Sequence, residues 1–109
     1  MQQANIFTML IYNVTTKVSH GINEAWLQWM KEEHIPRVLN TGMFTQHRMV
    51  RLLETDDSEG VTYAVQYFCD NWEQYAQYIR NFAPDLRKKA IERWGDLISS
   101  FRTLMEVIN

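Results

Sequence analysis

A single cysteine, Cys69, is all the chain offers for sulfur chemistry. That excludes an internal disulfide and any multi-cysteine metal site, and it makes the cytoplasm the expected compartment. No run approaches the roughly 18 uninterrupted apolar residues of a membrane span. The short apolar stretch Phe7–Val14 holds Thr8 and Asn13 and lacks the basic flank and cleavage site of a signal peptide. Neither sign of charge dominates: eleven basic against thirteen acidic residues give −2 at pH 7, so no electrostatic footprint for nucleic acid is present. A Gly-rich phosphate loop and a serine-nucleophile elbow are also missing. His20, His34 and His47, even taken with Glu32 and Glu33, have no ligand spacing, so no metal site is expected.

What is present suits one globular domain over residues 1–109. The chain is 46% hydrophobic and 22% charged, and 13% aromatic, enough apolar material for a single core without staples.

The spacing predicts six segments. Residues 7–15 (FTMLIYNVT) are β-rich and too short for a helix. Asn23 is placed as an N-cap, with Ile22 and Leu27 spaced as a hydrophobic staple around it. Trp26, Trp29 and Met30 then recur at helical steps as one buried stripe. Pro36 should kink or restart this helix, and Thr41-Gly42 should end it with a left-handed glycine. Residues 43–54 and 61–69 read as a hairpin around an acidic loop. Asp70 and Glu73 have capping-box spacing before a helix carrying Trp72, Tyr75, Ile79 and Phe82 on one face. Pro84 starts a further helical piece with Leu86, Ala90, Ile91 and Trp94 inward and Gly95 as its stop. Residues 98–108 close the chain as a strand. The order β-α-β-β-α-β is the ferredoxin-like arrangement, an α+β fold with a four-stranded antiparallel sheet.

Both sheet faces are expected to carry large side chains. Phe7, Met9 and Ile11 oppose Leu10, Tyr12 and Val14; Phe101, Met105 and Val107 oppose Leu104. Helices cover one face, and a second subunit is the expected cover for the other: a homodimer joined sheet to sheet.

Such a unit resembles the dimeric α/β-barrel superfamily. Within it, residues 26–38 (WLQWMKEEHIPRV) with 41–44 (TGMF), 60–69 (GVTYAVQYFC) and 101–108 (FRTLMEVI) resemble an uncharacterised bacterial domain family known mainly from the Bacteroidetes. The superfamily includes small cofactor-free monooxygenases, muconolactone-type isomerases and haem-degrading enzymes. His34-Ile-Pro36 is similar to the His-x-Pro ending the first helix in ethyl tert-butyl ether degradation-type members, where it lies near the cleft. Haem-degrading members use an Asn on the first strand, a Trp ending the third and a His on the second helix. Asn13 matches the first position, but Phe68 stands at the second and no histidine follows His47. This argues against haem degradation by that arrangement, and no cofactor is expected.

The candidate chemistry follows. His34 is the candidate acid or base, against a structural role capping the broken helix. Tyr12 and Asn13 are the candidates for polarising a carbonyl or phenol. Gln66, Arg51 and Arg102 are polar residues within apolar strands, so they line a cavity and hold an anion or form structural pairs, Arg102 with Glu106 across the dimer for example. Trp29 and Tyr67, with Tyr63, are the aromatic candidates for binding, against a place in the core. Arg80, Arg87, Lys88, Lys89 and Arg93 spread around an amphipathic helix and read as its solvated face, and Cys69 as a small buried hydrophobe. Two functions stand: a cytoplasmic homodimer binding a small aromatic or anionic molecule in a sheet–helix cleft, with cofactor-free oxygenase- or isomerase-like chemistry, or a non-enzymatic structural or protein-interaction module.

Overall fold

The computed structural model describes residues 8–109. Its elements are β1 (Leu10–Ser19), α1 (Asn23–Trp29), a π-helical turn (Met30–His34), α2 (Ile35–Leu39), β2 (Gln46–Arg51), β3 (Gly60–Cys69), α3 (Trp72–Asn81), α4 (Ala83–Trp94) and β4 (Ile98–Glu106). The strands form one antiparallel sheet in the order β2-β3-β1-β4. This is the ferredoxin-like α+β fold expected from the order of elements.

Register decides the faces. Tyr12 pairs with Tyr67 on one side and Leu104 on the other, and Val14 pairs with Val65 and Arg102. Directly opposed residues share a face, so Leu10, Tyr12, Val14, Thr16 and Val18 lie with Val61, Tyr63, Val65, Tyr67 and Cys69 of β3. On this face the helices deposit Trp26, Trp29, Met30, Tyr78, Leu86 and Trp94, and together these residues make the core. The opposite face carries Ile11, Phe68, Phe101, Met105 and Val107 interleaved with Asn13, Thr15, Thr62, Gln66 and Thr103, a more polar surface than alternation alone suggested.

Several boundaries differ from expectation, each for a local reason. β1 runs to Ser19 because Val18 is fully buried between Val61 and Ile98; Phe7 lies outside the described residues. Asn23 does not cap a helix: it sits inside α1 with helical φ and ψ, and its Oδ1 accepts a 2.8 Å hydrogen bond from the Tyr63 hydroxyl. The helix restarts at Pro36, as expected, without the backbone leaving helical geometry. A π turn closed by the Ile35 N–H on the Met30 carbonyl widens the helix just ahead of the proline, which then occupies the first turn of α2. The cap on α3 is one residue later than its spacing implied: Asn71 accepts from the Gln74 N–H at 2.9 Å, and Gln74 reaches back to the Asp70 N–H. Ile91, expected inward, is 68% exposed. β2 is confined to Gln46–Arg51 and β4 ends at Glu106. Gly42, at φ 78°, takes the left-handed position expected of it. Among the described residues no helix is long and apolar enough to cross a membrane.

Candidate functional site

Between the sheet and the helices lies a cavity of about 60 Å³. Its floor is Tyr12, Val14, Val65, Tyr67, Ser100 and Arg102 from the sheet; Trp26, Trp29 and His34 close one side, and Leu86, Arg87 and Ala90 of α4 the other.

Tyr12 is its centre. Its ring packs among Phe44 (6.0 Å), Tyr75 (5.9 Å) and Tyr78 (5.6 Å), which fixes the phenol in place. Its oxygen accepts from Arg87 Nη2 at 3.0 Å and from Arg102 Nε at 3.0 Å. Two guanidiniums from different elements therefore converge on one neutral oxygen. Neither is matched by a carboxylate: the ion pairs among the described residues are Arg51–Asp57, Lys88–Glu92 and Lys89–Asp85, and no Asp or Glu lines the cavity. The described lining residues thus include two guanidiniums and no carboxylate.

His34 reaches the cavity from the end of the π turn, stacked on Trp29 at 4.8 Å. Burial lowers its pKa to about 4, with the Arg37 and Arg102 guanidiniums acting in the same direction. The ring is thus neutral near pH 7 and offers one nitrogen acceptor; its Nδ1 is buried with no partner. Burial also raises the pKa of Tyr67, with Tyr78 and Tyr12 adding to the effect. Its hydroxyl stays protonated, and it too is buried without a partner, as is Arg87 Nε.

The structure brings together Tyr12, Trp29, His34, Tyr67 and Arg102. It does not bring Asn13, Gln66 or Arg51 to them. Asn13 follows Tyr12 in the strand and so points to the other face, where its Nδ2 donates to Thr15 Oγ1 at 3.0 Å. Gln66 pairs with Asn13 on that same far face. Arg51 shares the helix-side face but sits on the edge strand, where it pairs with Asp57 at 3.2 Å. Arg102 spends its Nε on Tyr12 rather than on Glu106 within the chain. Arg87, read from the sequence as solvated, is turned inward. A signal was present: Arg87 falls four residues after Ala83 and three before Ala90, on the flank of the inward stripe, with small neighbours leaving room for a guanidinium. Among the described residues no group of His, Cys, Asp and Glu could hold a metal.

Comparison with known proteins places the fold. An ethyl tert-butyl ether degradation family protein from Bacillus halodurans superposes with a TM-score of 0.67 at 14% identity, covering 91% of this chain and 99% of its own. SnoaB from Streptomyces nogalater, described as a cofactor-independent oxygenase, gives 0.69 at 11% identity, with 94% and 95% covered. A dimeric ferredoxin-like protein from an uncultured marine organism gives 0.70 at 11%, with 94% and 97% covered. At these identities the likeness is one of fold. No curated protein matches in sequence. DUF4286, a domain of unknown function, matches over residues 9–108.

Proposed function

The chain belongs to the DUF4286 family of domains of unknown function, and from that premise we propose that it is a homodimer that binds a small organic anion in the sheet–helix cavity and moves a proton on it. The observation that carries this reading is the convergence of Arg87 and Arg102 on the Tyr12 oxygen with no carboxylate opposite. Two unmatched guanidiniums at a largely apolar cavity favour an anionic guest. Burial is the main cause that holds His34 neutral, and Arg102 is a lesser one. An anionic guest near Arg102 offsets that lesser part, so the imidazole pKa rises from about 4 on binding and the ring becomes a stronger base. Tyr12 and Arg102 then hold the negative charge that proton removal leaves on the substrate. This needs no cofactor and parallels the description of SnoaB as a cofactor-independent oxygenase. Asn13 is left out of the chemistry, on the far face with Gln66.

The dimer reading rests on that far face, where Phe101 is 63% exposed beside Met105 and Val107, and on the dimeric description of a protein of the same fold. A cytoplasmic placement rests on the single cysteine. A second reading, a non-enzymatic interaction module, draws support from the cavity's size, since about 60 Å³ is well below the roughly 300–1,000 Å³ of drug-sized ligand sites.

Native mass spectrometry of gently purified protein separates the two. The proposal expects a species of twice the chain mass carrying an acidic adduct that Arg87→Gln/Arg102→Gln removes. A bare dimer whose variant behaves identically supports the module instead, and a monomer rejects the sheet-to-sheet assembly.

A further inference from the structure

The hydrogen-bond inventory of the cavity narrows the anion further, on the premise that the cavity binds an anion at all. Tyr12 already accepts from both guanidiniums, which uses the two lone pairs of its oxygen. Its O–H must therefore donate elsewhere, and no described residue accepts from it. The Tyr67 hydroxyl and Arg87 Nε, both lining residues, are buried without partners. Three donors thus lack an acceptor, and a carboxylate, with about four lone-pair sites, can serve all three. On the acceptor side the cavity holds little: Asp and Glu are missing from its described lining, and the Thr16 and Ser100 hydroxyls bond each other at 2.8 Å. The Tyr67 hydroxyl can accept as well as donate, and His34 Nδ1, buried without a partner, is an acceptor in the tautomer that carries its proton on Nε2. A guest that meets both demands carries one carboxylate and one hydroxyl donor. Size sets the rest. The cavity of about 60 Å³ corresponds to about four to six water-sized positions at roughly 10–15 Å³ each, and its remaining walls, Val14, Val65, Leu86 and Ala90, suit a short alkyl group.

We propose that the cavity selects a two- or three-carbon hydroxy acid, its carboxylate held by Arg87, Tyr12 and Tyr67 and its hydroxyl donating to His34.

Isothermal titration of the full chain at pH 7 with lactate, glycolate, propionate, acetate, benzoate and inorganic phosphate tests it. Lactate and glycolate should bind about tenfold tighter than propionate and acetate, the worth of one buried hydrogen bond. In His34→Phe the ratio of lactate to propionate affinity should fall to about one, whatever the change in absolute affinity, and Arg87→Gln should weaken all the acids alike. Equal affinities for lactate and propionate in the unaltered protein would overturn the hydroxy-acid selection and leave the anion reading standing. Benzoate binding tighter than lactate overturns the size argument in the same way. Saturable binding of phosphate alone, or of nothing, overturns both.

Discussion

Tyr12 carries packing and polarity at once. Its ring is held by Phe44, Tyr75 and Tyr78, and its oxygen fixes two arginines that no carboxylate among the described residues pairs. Removing the hydroxyl in Tyr12→Phe keeps the packing and strands two guanidinium donors. Since Arg102 is exposed and Arg87 half-buried, water recovers part of the loss, and the cost should be about 1–2 kcal/mol in urea unfolding. His34 has the opposite character. Its imidazole titrates at 6.5 when unfolded and at about 4 when folded, so between those values the unfolded state binds more protons. The contribution to stability is complete above pH 6.5 and is lost as pH falls toward 4. From pH 7 to pH 5 the protein should lose about 2 kcal/mol through this residue alone. Urea midpoints at the two pH values check this: His34→Gln should remove most of the difference, and an undiminished difference in the variant would mean another group is responsible.

At the scale of elements, the site exists because two periods cross. The two-residue repeat of β1 sends Tyr12 and Val14 to the helices, and the helical repeat sends Trp26, Trp29 and Met30 back to meet them. Both periods are legible in the sequence, as are the order of elements and the inward set Tyr12, Trp29, Tyr67 and Arg102. The differences have separate causes. Asn13 and Gln66 follow inward residues directly, and alternation puts them out of reach; taking them as site members ignored strand parity. Arg51 depended on how the hairpin closes, and the acidic loop that joins its strands supplies Asp57 as partner. Arg87 lies on a helix rich in cations, where composition hides the one turned inward. Two element-level substitutions follow from the geometry. A methyl at Gly60, opposite Ser19 at the end of β3, would collide with the Val18 carbonyl oxygen and carbon, both backbone. Neither can retreat, so Gly60→Ala should cost about 2–3 kcal/mol, read as a lowered urea midpoint. Asn71→Ala removes the side-chain cap of α3 and should cost about 1 kcal/mol by the same measurement.

For the whole molecule, the sheet divides two tasks between its faces. One face, with the helices, encloses the cavity; the other is proposed to meet a second copy. Phe101 is its most exposed large apolar side chain, so Phe101→Glu should turn a dimer into a monomer in sedimentation equilibrium while circular dichroism stays unchanged. A dimer that survives this charge would place the interface elsewhere. What matters most, however, is that Arg87, with Arg102 acting through Tyr12 beside it, is proposed to receive an anion inside the fold. The most direct measurement is nuclear magnetic resonance of the arginine Nε–H groups during titration with lactate. The account predicts that the Arg87 and Arg102 resonances shift together and saturate, while those of Arg37, Arg48, Arg51, Arg80 and Arg93 stay still. Uniform, unsaturating shifts across all seven arginines would contradict it.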